Sequence, residues 1–187
     1  MPHSPGMQKP FVLLFTLLVA TSATPLAHSQ EPATASTGPF ASLTADIGIV
    51  ASDLEKSAEF YTEALGLTEI KGFTATPEKA TAFGLTDHLG AAIRVFVPGD
   101  EPGATRLKLM SFPTATSAKP DKHFIHSTIG ISYLTFRVTD MDATLKRLAE
   151  AKVKLLGETP ANLSENVFLV TVKDPDGNFI ELIGPMK

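Results

Sequence analysis

Residues 46–67 read DIGIVASDLEKSAEFYTEALGL, and the order of patterns in this stretch decides the fold. Asp46-Ile47-Gly48-Ile49-Val50-Ala51 is a short β-type run. Ser52-Asp53-Leu54-Glu55 follows with the S-x-x-E spacing of a capping box, so a helix is expected to start there. Leu54, Ala58, Tyr61 and Leu65 hold one helical face, and Gly66 is placed to end it. Further on, residues 91–97 and 106–111 read as strands, separated by the turn formers Pro98-Gly99-Asp100 and Pro102-Gly103.

The same order returns about 87 residues later, the distance from Asp53 to Asp140. Residues 133–138 are a strand, Thr139-Asp140-Met141-Asp142 opens a helix, and Leu145, Leu148, Ala149 and Val153 continue it. Residues 167–173 are the next strand, Asp174-Pro175-Asp176-Gly177 is a tight turn, and residues 178–183 are the last strand. Each copy is strand, helix, then further strands. A unit that cannot cover its own apolar sheet face pairs with its copy, and two open sheets facing one another enclose a cleft.

These residues carry a resemblance. Asp53-Leu54-Glu55-Lys56-Ser57 with Phe60-Tyr61 and Leu65-Gly66-Leu67 resembles the first-module signature of the vicinal oxygen chelate superfamily, which includes glyoxalase I, extradiol dioxygenases, methylmalonyl-CoA epimerase and bleomycin-resistance proteins. Residues 174–182 resemble its second-module ending. The resemblance implies an α+β fold of two tandem βαβββ modules, forming a cleft-containing, partly open mixed β-barrel with flanking helices. Module one would span 45–113, a connecting loop 114–128 and module two 129–185, within a single domain of 43–187.

The first residues do not read as fold. Lys9 without an acidic neighbour, an apolar run over 11–20 and small residues through Ala27 give the order of a secretory signal, expected over 1–29. The apolar run falls short of the roughly 20 residues that span a bilayer. Residues 30–42 read as a flexible linker, and the chain is expected to be exported, periplasmic or secreted. Sixteen basic residues against 20 acidic ones, scattered along the chain, leave no nucleic-acid footprint. With no cysteine there is neither disulfide, thiol nucleophile nor thiolate metal site.

Metal-dependent members of the superfamily take one ligand from the first and last strand of each module, commonly His, Glu, His and Glu. The resemblance places those positions on Asp46, Lys108, Tyr133 and Glu181, and only Glu181 keeps the usual identity. A protonated lysine offers no lone pair and repels a cation, so no metal or other cofactor is expected; if a divalent metal is present, Glu181, Asp46 and His126 are its candidate ligands. Alternation places Lys108 and Glu181 opposite the apolar faces of their strands. An ion pair of Lys108 with Glu181, Asp46 or both is therefore expected to neutralise the site.

Two functions follow. The first is a protein that binds a small organic molecule in the inter-module cleft, through Asp46, Gly48, Lys108, Met110, Tyr133, Thr135, Arg137, Phe179 and Glu181, with segments 73–90 and 114–128 able to close over it. The alternative is a lyase, isomerase or dioxygenase with an atypical metal site or with Lys108 as electrophile, Glu181 or Asp46 as base and Tyr133 as proton donor. A small-molecule ligand and a second copy of the chain are the expected partners.

Overall fold

Asp53, not Ser52, caps the first helix. The computed structural model describes residues 39, 40, 42, 44–99, 103–115 and 117–187; the expected signal segment 1–29 and most of the linker 30–42 lie outside the described residues. Helix α1 (Leu54–Glu59) begins where the Asp53 carboxylate accepts the Lys56 amide at 3.1 Å, and it runs on into a π-helical turn, Phe60–Ala64. The expected capping box is thus displaced by one residue. The reason is a competitor: Asp176 takes both the amide and the hydroxyl of Ser52, at 3.1 and 2.5 Å. In the second copy Asp140 caps α3 (Met141–Glu150) in the same way, accepting from the Ala143 amide at 2.8 Å.

Each copy builds a four-stranded sheet. In module one β1 (Ile47–Val50) pairs in parallel with β4 (Leu107–Met110), and β3 (Ala91–Val97) and β2 (Thr68–Ala75) follow antiparallel. Module two repeats this with β5 (Tyr133–Arg137), β8 (Phe179–Gly184), β7 (Val167–Lys173) and β6 (Ala161–Ser164) in that order. The βαβββ expectation holds, as two mixed sheets that do not close into a barrel.

Strands β2 and β6 were not visible as alternation because both are edge strands whose side chains are mostly exposed on either face. β2 also carries a register shift between Ile70 and Phe73, and Gly72 sits there because any Cβ would collide with the Ile93 carbonyl. Segment 73–90 is accordingly not one long loop. Its first residues belong to β2, and Pro77–Ala82 forms the short helix α2, capped by Thr76.

One core serves both copies. Tyr61, Phe96, Leu107 and Leu109 of module one join Met141, Leu148, Val170, Ile180 and Leu182 of module two in a single buried cluster on the helix side of the sheets. The other face of β5 is exposed at Tyr133, Thr135 and Arg137, while Leu134 and Phe136 pack on the core. β1 alternates in the same sense. The side chains with chemistry to offer therefore stand on the sheet faces turned away from the helices.

Candidate functional site

Parallel pairing of β1 with β4 brings Gly48 level with Lys108, and alternation turns Asp46 to the same face. Lys108 Nζ meets Asp46 Oδ2 at 2.7 Å, and this hydrogen bond with the ammonium holds the Asp46 carboxyl below its ordinary range. Both groups remain partly exposed, Asp46 at 40% of its side chain. Lys108 Nζ also stands 5.9 Å from the centre of the Phe73 ring.

On the second sheet Glu181 lies level with Thr135 in β5 and with Thr171 in β7. Its Oε2 accepts from the Thr135 hydroxyl at 2.7 Å. The two ends of the expected charge cluster are thus separately satisfied. Lys108 has Asp46, as one of the expected pairings required, but the Lys108–Glu181 pair does not form among the ion pairs of the described residues. Each group has taken a partner from its own module: Asp46, just before β1, for Lys108 and Thr135 of β5 for Glu181.

Tyr133 is half exposed at the start of β5, and Arg137 is exposed at its end. Met110 and Phe179 are half-buried on the same faces as Lys108 and Glu181, and Lys173 Nζ sits 4.4 Å from the Phe179 ring centre. His126 is stacked on Phe124 in the connecting loop, with ring centres 5.5 Å apart. Among the described residues no three His, Asp or Glu side chains gather within reach of one ion, so Asp46, Glu181 and His126 do not form a ligand set in this geometry.

Some site residues escaped the sequence reading. Ile93 lies level with Met110, and Val95 level with Lys108; with Ala91 they form a small buried cluster against Met110 and Phe112. This apolar patch flanks the Lys108 ammonium. Its signal was the alternation Ala91-x-Ile93-x-Val95 within a recognised strand, but nothing in the sequence says which face of that strand looks onto the site. The connecting loop also has an anchor that spacing cannot reveal: Lys122 hydrogen-bonds the Asn178 side chain, and Lys173 Nζ donates to the Lys122 carbonyl at 2.6 Å. That ties segment 114–128 to the turn before β8.

The two modules are joined by a buried polar contact. Tyr61, fully buried, donates its hydroxyl to Asp174 at 2.9 Å. Burial first, then the Asp174 charge, pushes the Tyr61 phenol well above its ordinary ionisation range. Asp174 opens the expected tight turn, closed by the Gly177 amide donating to the Asp174 carbonyl at 2.9 Å.

Comparison with known proteins gives these features a family. The family model described as Glyoxalase/Bleomycin resistance protein/Dioxygenase superfamily matches residues 43–182. The search of curated proteins finds no match. Among solved structures, a glyoxalase family protein from Bacillus cereus is similar at 21% identity and a TM-score of 0.66, over 81% of this chain and 99% of that one. The trypanothione-dependent glyoxalase I of Leishmania major is similar at 25% identity and a TM-score of 0.52, over 74% of this chain and 84% of that one. A glyoxalase/bleomycin resistance protein/dioxygenase domain from Frankia is similar at 19% identity and a TM-score of 0.53, over 76% and 90%. Duplicated modules, sheet order and a family model covering most of the chain agree: this protein belongs to the glyoxalase/bleomycin resistance protein/dioxygenase superfamily.

Proposed function

We propose that this chain is an exported member of the superfamily that holds a small organic ligand, without a divalent metal, against the exposed sheet faces bearing Lys108 and Glu181. The observation that carries the reading is the 2.7 Å contact of Lys108 with Asp46. At two of the four positions where metal-dependent members place ligands stands an internal ion pair, and at a third a phenol. This donor set does not suit a divalent cation, because the ammonium has no lone pair and already neutralises the carboxylate beside it. What the face offers instead is a fixed positive charge next to the Ile93, Val95 and Met110 patch, and a carboxylate bound to Thr135. A few polar groups set in an apolar surface orient a small molecule.

Elemental analysis of the purified full chain tests the metal half of this reading. About one tightly held Zn, Ni, Fe or Mn per chain, lost in Glu181→Ala, would overturn it. A thermal-shift screen of small organic acids tests the other half, and the expected hits lose their effect in Lys108→Met. Export is tested by the mass of the native protein, expected to lack residues up to about Ser29. A second copy of the chain as partner is supported by the exposed isoleucines Ile129 and Ile131 beside Tyr133 on the edge strand β5, and sedimentation of the protein before and after Ile131→Lys checks it.

A further inference from the structure

A groove of about 680 Å³ lies on the helix side, between the π-helical turn and the end of α3. Phe60, Ala64, Val153 and Leu156 contribute apolar lining. Its walls differ in sign. Glu59 and Glu63 stand on the first, and Arg147, Lys152 and Lys154 on the second. Among the described residues none of these five is in an ion pair. Lys56 on the first wall and Glu150 on the second reduce the difference without reversing it, and Lys173 and Asp174, which also line the groove, offset each other and are engaged with the Lys122 carbonyl and the Tyr61 hydroxyl.

Two local features hold cations on the second wall. Gly66, at φ +81°, leaves room for the Arg147 guanidinium, and a Cβ there would come within 3.2 Å of Arg147 Nε. That Nε is buried without a hydrogen-bond partner, and Nη2 reaches only the Thr144 hydroxyl, at 3.2 Å. Arg147 is therefore fixed over Gly66 and Thr144, with part of its side chain lining the groove. Lys152 ends α3 in the left-handed region at φ 56°, where glycine is the usual residue. The turn is closed by the Lys152 amide donating to the Ala149 carbonyl at 3.0 Å and the Val153 amide to the Leu148 carbonyl at 2.8 Å, and it places Lys152 in the groove lining.

We propose that this groove binds the zwitterion of a short apolar peptide, two or three residues long. Its α-ammonium would face Glu59 and Glu63, its carboxylate Arg147, Lys152 and Lys154, and its side chains the lining of Phe60 and Val153. A simple anion would meet the acidic wall, and a simple cation the basic one. A free amino acid holds its two charges too close together to serve walls that do not reach each other. An extended tripeptide spans about 10 Å, which separates the charges.

The test is calorimetric titration of the purified full chain with Ala-Leu-Ala, its N-acetylated form and its C-terminal amide. Each cap removes one charge and is expected to weaken binding about tenfold or more. The exposed pair Glu59→Gln with Glu63→Gln should weaken the free peptide to the same degree and leave the acetylated one unaffected. Lys152→Gln with Lys154→Gln should do the converse with the amide. No binding of the free peptide at millimolar concentration, equal binding of all three peptides, or indifference to both pairs of substitutions would each overturn the proposal. These variants leave Lys108 and Glu181 untouched, so failure here is distinct from failure of the sheet-face reading.

Discussion

Tyr61 in module one and Asp174 in module two form a buried hydrogen bond of 2.9 Å across 113 residues of sequence. Asp174 also accepts from the amides of Asp176 and Asn178, at 3.0 and 2.8 Å, and from the Asn178 side chain at 2.6 Å. Tyr61→Phe removes one donor of four and is expected to cost about 1–3 kcal/mol. Asp174→Ala strands all four donors and should cost more. Urea unfolding at neutral pH checks the order, and a Tyr61→Phe protein as stable as the parent would show that the hydroxyl bond contributes nothing.

The same phenol gives a pH dependence. Its folded ionisation lies above the unfolded value of about 10. A group raised in this way contributes stability below its unfolded value, and that contribution is lost as pH rises. Stability should therefore fall from about pH 10 upward, by a smaller margin in Tyr61→Phe. The chain has two tyrosines. In Tyr133→Phe, phenolate absorbance is expected only together with unfolding; its appearance in folded protein would contradict the assignment.

Lys108 and Asp46 form a half-exposed pair, so their coupling should be about 0–1 kcal/mol and not the roughly 3–5 kcal/mol of a buried one. Asp46 is lowered in the folded state; its contribution is present above the usual carboxylate value and disappears in acid. A double-mutant cycle of Lys108→Met with Asp46→Asn at pH 7 and pH 3 measures both. The matching cycle of Lys108→Met with Glu181→Gln is expected to be additive within about 0.5 kcal/mol.

Arg94 joins α1 to β2. It donates to both oxygens of Glu69, at 2.7 and 2.6 Å, and to Glu55 at 2.7 Å, and the Arg94 bond lowers the Glu69 ionisation. Arg94→Lys cannot keep the two-pronged contact and should cost about 0.5–1 kcal/mol at pH 7. The loss should shrink as pH falls through the lowered Glu69 value. An undiminished loss at pH 3 would place the effect in packing of the Arg94 stem.

Restoring the family's donor types offers a fourth-position test of the site. Asp46→His, Lys108→Glu and Tyr133→His together with native Glu181 are expected to create zinc affinity that the natural protein lacks, read by titration calorimetry. Equal zinc binding before and after the changes would remove the argument from donor chemistry.

Much of this was legible from spacing. The 87-residue recurrence of Asp53 at Asp140 fixed the duplication, and both aspartates cap helices. The alternation around Lys108 and Glu181 fixed their faces, because Leu107, Leu109, Ile180 and Leu182 are buried opposite them. Asp46 was among the expected partners of Lys108, but the choice of Asp46 over Glu181, and of Thr135 for Glu181, was not legible. Lys108 takes Asp46 and Glu181 takes Thr135 through cross-strand register, which depends on parallel pairing between segments far apart in sequence. The expected Ser52 cap is displaced for the same reason: the partner of Ser52, Asp176, is 124 residues away.

The hydrogen bonds of Ser52 and Tyr61 to the 174–176 turn bear on the order of synthesis. A ribosome finishes module one long before Asp174 exists, so for that interval the Tyr61 hydroxyl has no native acceptor and the start of α1 lacks its tether. Closing contacts this distant in sequence is slow. Module one is thus a nascent half that lacks these partners until its duplicate arrives, and a chain stalled between the two modules would present that unfinished face to chaperones and proteases.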